Sequence, residues 1–160
     1  MKIWLLFLTL ACLTACQKDR DEPVNAVLAG EWRYVGTFSH LADYRCFVCP
    51  GFDYNTAPTL NINALGGLSG KSVINQYSGS YQAADKDTIR AEFLRGTFSV
   101  KRLSQTKIAG TPAQMQIENE YFDKLQKTTN YYIGRTEPQY LNLSLNQAKN
   151  HLYLYFVRKK

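Results

Sequence analysis

The chain has 160 residues, enough for one domain and a tail. With 45% hydrophobic and 20% charged residues it is neither a disordered nor a fibrous sequence. The formal charge of +6 is scattered, and only His40 and His151 are available to a histidine-built metal or catalytic centre.

Residues 1–16 read MKIWLLFLTLACLTAC. Lys2 supplies a positive start, and Ile3 to Leu13 form an apolar run. That run has the length of a secretory signal and falls short of the roughly 20 residues of a spanning helix. It closes in Leu13-Thr14-Ala15-Cys16, which resembles a bacterial lipobox: a leucine, two small residues, then the cysteine that is acylated. The expected organisation is a signal peptide over 1–15, a tether over 16–27 from lipidated Cys16, and a folded domain over 28–160. The expected location is the bacterial outer membrane, on its periplasmic or surface side, with the membrane as first partner. Residues 17–25, QKDRDEPVN, are polar and aperiodic and read as a flexible linker. The start of that run also looks like the export signal of surface lipoproteins.

In the domain, Glu31 to Phe38 alternates, which predicts a first strand with Trp32, Tyr34, Gly36 and Phe38 on one face. Residues 39–57 lack a period and read as a long loop holding Cys46 and Cys49. In an oxidising compartment the default for this C-x-x-C is a local disulfide, with redox, zinc and free-thiol readings beside it. Thr59 to Ala64 alternates again, Leu65 to Gly70 is a turn cluster, and Lys71 to Ile74 continues as strand. Gly70-Lys71-Ser72 imitates the end of a phosphate loop. Leu65 stands where that motif needs glycine, and strand-like residues follow, so a glycine-rich turn is the better reading. Tyr77, Gly79 and Tyr81 mark another strand, Ala83 to Asp87 a polar turn, and Thr88 to Phe93 and Thr97 to Thr106 two more strands.

Thr111-Pro112-Ala113-Gln114 is a capping box with proline at the first helical position. Met115, Glu118, Phe122 and Leu125 then recur at helical spacing, widened by Tyr121. The expected element is an amphipathic helix over about residues 112–127 lying on a sheet. Strand-like runs at 131–133, 139–145 and 151–157 close the chain. The order strands, helix, strands predicts a mainly β fold of α+β type. It would be a curled antiparallel sheet, or partly open barrel, with one inserted helix.

These residues together resemble the META domain, the HslJ-like family of small bacterial envelope proteins. The resemblance is carried by Leu28-Ala29-Gly30-Glu31-Trp32, Pro58-Thr59-Leu60-Asn61-Ile62, and Gly70 through Asn75, Tyr77, Gly79 and Tyr81. Thr106, the helix run Glu118 to Leu125, and the closing strands complete it. The family usually carries a cysteine just before the signature Asn and another shortly after the Thr. Here those places hold Ile74 and Gly110. The resemblance implies links to stress, drug resistance, motility or virulence, and no shared enzymatic activity or catalytic residues; no metal or cofactor is expected. The expected function is therefore a non-enzymatic envelope lipoprotein, acting as a monomeric binding or stress module. Its partner would be an envelope protein or an apolar ligand and not nucleic acid. The alternatives are a small envelope enzyme with a spatially assembled site, or an enzyme inhibitor using the Cys46–Cys49 loop. A deep cavity lined by Met115, Phe122 and Leu125 would favour an apolar ligand, and a filled core a surface-acting protein.

Overall fold

The computed structural model describes residues 24–39, 45–46, 57–90, 93–134, 139–145 and 152–159. A short helix α1 (Val24–Leu28) leads into β1 (Gly30–Ser39) and β2 (Arg45–Cys46). The chain continues through β3 (Thr59–Ile62), β4 (Gly67–Lys71), β5 (Gln76–Arg90) and β6 (Phe93–Gln105). The helix α2 (Pro112–Gln126) follows, then β7 (Thr128–Gly134), β8 (Tyr140–Leu145) and β9 (Leu152–Arg158). Every strand pairing is antiparallel. Pairing of β1 with β9 closes the sheet into a barrel, with β2 beside β1 as an appendage. The curled sheet with one inserted helix is thus as expected, and its closure is complete.

The inward side chains come from alternation. Leu141, Leu143 and Leu145 of β8 are buried between half-buried neighbours, as are Leu154 and Phe156 of β9. Trp32, Leu60, Ile62, Phe98, Leu125, Ile133, Leu141, Leu143, Leu154 and Phe156 form a core with at most 1% exposure each. The helix begins as read: Thr111 Oγ1 accepts from the Gln114 amide at 3.3 Å, and Gln114 Oε1 accepts from the Thr111 amide at 3.0 Å. Its buried face carries Glu118, Tyr121, Phe122 and Leu125, while Met115 is only half-buried.

Several expectations are corrected. Phe38 does not share a face with Trp32 and Tyr34. The register shifts between Tyr34 and Gly36, and a bulge of this kind reverses the facing of all that follows. Thr37 turns inward to the Tyr34 hydroxyl at 2.6 Å, and Phe38 joins Tyr153 and Tyr155 outside. Ala83 to Asp87 is no turn. It continues β5 through bulges near Tyr81 and Asp85, and β6 runs unbroken past Arg95 and Gly96. Residues 73–74 are a bend, and β4 is the glycine-rich run itself. The segment read as loop over 39–57 contains the short strand β2. Helix begins at Val24, with Leu28 buried and its carbonyl taking the Trp32 Nε1–H at 2.9 Å.

At Gly79 the backbones of β5 and β6 leave no room for a side chain. A Cβ there would stand 1.9 Å from the Arg102 carbonyl oxygen, which is backbone and has no rotamer to yield. Gly79→Ala is expected to lower stability by about 1–3 kcal/mol. Ser78→Ala, on the exposed side of the same strand, should leave the urea midpoint unchanged, and equal midpoints for both variants would contradict this packing.

Candidate functional site

The densest polar construction is inside. Glu118 of α2 is 0% exposed, and its carboxylate is met by four donors from the connection between β4 and β5. Ser72 Oγ donates to Oε1 through a short contact. The amides of Ile74 and Asn75 donate to the same oxygen at 3.2 and 2.9 Å, and Asn75 Nδ2 donates to Oε2 at 2.6 Å. Asn75 then ties in β6 and its continuation. Its Oδ1 accepts from the Thr106 hydroxyl at 2.8 Å and the Ile108 amide at 2.7 Å. Burial would push the Glu118 carboxyl up, but the bonds from Ser72, Asn75 and Ile74 more than offset this and hold it below its ordinary value. The group is therefore a charged clamp between helix and sheet, closed to solvent.

A tyrosine cluster sits beside the clamp. The Tyr77 hydroxyl donates to the Thr59 carbonyl at 2.7 Å and lies 2.8 Å from that of Tyr121. The Tyr34 and Tyr121 rings meet edge to face at 5.2 Å. Burial raises all three phenols, Tyr34 to about 12 and Tyr77 and Tyr121 well above their ordinary value. A raised acid stabilises the fold fully below its unfolded value of 10, and that contribution fades as pH rises through the folded value. Alkaline unfolding followed by tyrosinate absorbance is expected to begin above pH 10. Free titration of every tyrosine near 10 without loss of fold would contradict it.

Two surfaces differ on the outside. Across β1, β3, β4, β5 and β6 the pairings Glu31–Asn61–Ser69–Ser78–Ser104 set five polar side chains in a row. With Thr59, Lys71, Gln76 and Thr106 alongside, they line an open groove of about 740 Å³. Glu31 is paired with Lys159 at 2.8 Å, and Lys71 is exposed. The other surface is aromatic. Phe38, Tyr153, Tyr155, Tyr140, Tyr132 and Phe93 run across β1, β9, β8, β7 and β6 with neighbouring ring centres 5.3–6.4 Å apart. Asn142 lies between Tyr132 and Tyr155 in register, and its buried Oδ1 has no hydrogen-bond partner.

Of the residues singled out in the sequence, Cys16 and Cys49 lie outside the described residues, as do His40 and His151. Cys46 pairs with Gly36 as part of β2, and the Cys46–Cys49 bond lies outside what is described. Asn75, Tyr77, Thr106 and Glu118 are brought together around the helix, while Tyr81 bonds the β3–β4 turn; the groove and the aromatic row carried no sequence motif. Their signal was strand alternation, which gives a facing but not a register. Ile74 and Gly110 are neighbours: a Cβ on Gly110 would stand 1.9 Å from Ile74 Cδ1. The side chain of one thus fills the space left by the other, where the resemblance implied a cysteine pair.

A closed antiparallel barrel with one inserted helix, clamped through a buried Glu to an Asn–Thr hub, defines a class of small β-barrel domain. The META domain family model matches residues 27–160, and the chain belongs to that family. A solved structure described as the NMR structure of the protein from Burkholderia xenovorans is similar at 25% identity and TM-score 0.62, covering 90% of this chain and 98% of its own. A crystal structure of a DUF4847 family protein from Bacteroides vulgatus ATCC 8482 shares the fold, at 16% identity and TM-score 0.51. It covers 82% of this chain and 94% of its own. No curated protein matches the sequence.

Proposed function

We propose that the chain is a lipid-anchored, non-enzymatic binding module of the bacterial envelope, held at the outer membrane through Cys16 and working from the outside of its barrel. One observation carries the reading: a polar recess lies on the outside of the barrel. Phe122 and Leu125 belong to the buried core cluster. The groove of about 740 Å³ is instead lined by hydroxyls, amides and two opposite charges, which suits a polar partner recognised by hydrogen bonds. The barrel interior is apolar, whereas that of a membrane-spanning barrel is polar, which supports a domain beside the membrane. Among the described residues no helix is long and apolar enough to cross a membrane.

Affinity capture from intact envelopes is the matching experiment. It is expected to enrich a saturable partner, with no turnover of a metabolite panel by the purified protein. Turnover would contradict the reading. Cys16→Ala is expected to move the protein from the membrane to the soluble fraction, and undiminished membrane retention would remove the anchor.

A further inference from the structure

The turn between β3 and β4 holds Leu65 at 96% exposure, on a tip that is pinned from several sides. Asn63 Oδ1 accepts from the amides of Leu65 and Gly67, both at 2.9 Å. The Asn63 amide donates to the Gly67 carbonyl at 2.9 Å, and that of Gly66 to the Asn63 carbonyl at 3.2 Å. From β5, the Tyr81 hydroxyl donates to the Asn63 carbonyl and the Tyr81 amide to that of Gly66, each at 2.9 Å. Gly66 takes φ +88°, a left-handed conformation that glycine adopts at little cost. The fold thus spends six hydrogen bonds on a turn that keeps a large apolar side chain in water. Moving a leucine from water to an apolar medium is favourable.

The end of the barrel on which this turn lies matters. Gly30, the first residue of β1, pairs with Ile62, the last of β3, so the turn projects where the chain passes from α1 into the barrel. Exposed Lys159 lies at the same end, its amide bonded to the Glu31 carbonyl at 2.9 Å. Cys16 precedes Val24 by eight residues in the sequence, a stretch that spans at most about 29 Å. An acylated Cys16 therefore keeps this end near the bilayer. Ile108, 54% exposed, sits at the opposite end, beyond Gln105, which pairs with Tyr77.

We propose that the Leu65 turn inserts into the lipid surface to which Cys16 is anchored and sets the orientation of the barrel on it. A single leucine binds a bilayer weakly, but the tether makes its insertion an intramolecular event at high effective concentration. The opposite end, with Ile108 and the Lys71–Gln76–Thr106 margin of the groove, then faces away from the membrane. The inference rests on the anchor reading of Cys16.

The test places tryptophan at each end of the full acylated chain, as Leu65→Trp and as Ile108→Trp, in phosphatidylglycerol–phosphatidylcholine vesicles. Trp32 is buried in both and supplies a common background. Brominated acyl chains are expected to quench the Leu65→Trp emission about twofold more than that of Ile108→Trp. Aqueous acrylamide should do the reverse, and matching thermal melts show that both variants fold. Equal acrylamide quenching at both positions, with Cys16 acylated by mass spectrometry, would overturn insertion and leave the anchor standing. An unacylated Cys16 in the same sample would remove the anchor and the insertion together.

Discussion

Glu118→Ala is expected to cost about 3–5 kcal/mol of folding stability, more than any other single polar change in the described residues. The loss comes from the donors left behind. Ser72 Oγ, the amides of Ile74 and Asn75, and Asn75 Nδ2 all aim at this carboxylate inside a closed interior. Each buried donor left unpaired costs about 1–3 kcal/mol, only part of which relaxation recovers. Glu118→Gln keeps one acceptor oxygen but turns an amide N–H toward a donor, so a loss of about 1–3 kcal/mol is expected. The clamp also sets the acid limit. A carboxyl held below its unfolded value near 4.5 stabilises the fold above that pH, and the contribution is lost as pH falls through the folded value. Urea midpoints measured from pH 6 down to pH 2 should therefore fall more steeply in the wild type than in Glu118→Gln. Parallel profiles would show that the carboxylate is not ionised in the fold.

Trp32→Ala carries the second large effect, about 3–5 kcal/mol. Trp32 is fully buried, and its indole N–H supports the Leu28 carbonyl of α1. The Arg158 guanidinium lies 4.9 Å from the ring centre and also donates to the Ala29 carbonyl. The same guanidinium would lie 2.8 Å from a Gly30 Cβ, and Gly30 has φ +149°. The Gly30-Glu31-Trp32 motif thus joins α1, β1 and β9 where the chain enters the barrel. Trp32→Phe keeps most of the burial and orphans the Leu28 carbonyl, so about 1–3 kcal/mol is expected. Equal stabilities for the two variants would show that cavity formation is not what destabilises the alanine variant.

How much of this was legible beforehand depends on how local the signal is. The start of α2 was readable because a capping box is written in four consecutive residues, and the buried stripe followed from helical spacing. That stripe contained Glu118, but its purpose was hidden, because Ser72 and Asn75 lie 46 and 43 positions away. Phe38 was placed on the wrong face because one bulge reverses alternation and leaves no mark in composition. The extension of β5 through Ala83 to Asp87 carries no mark in the sequence, because a short run of polar residues between apolar ones reads as a turn. The aromatic row and the groove depend on the register of five strands each, which single-strand patterns do not contain. The paired loss of cysteine at positions 74 and 110 was legible through the resemblance, and the contact between Ile74 and Gly110 gives it a physical reason.

On the proposed reading the signature residues hold the scaffold and recognition belongs to the outer groove. Capture from intact envelopes by Ser78→Trp is compared with capture by wild-type protein of equal thermal stability. Ser78 is exposed within the Glu31–Asn61–Ser69–Ser78–Ser104 row, so an indole there fills the groove without entering the core. Loss of the captured partner with an unchanged melt is expected. Undiminished capture by the filled groove would contradict it.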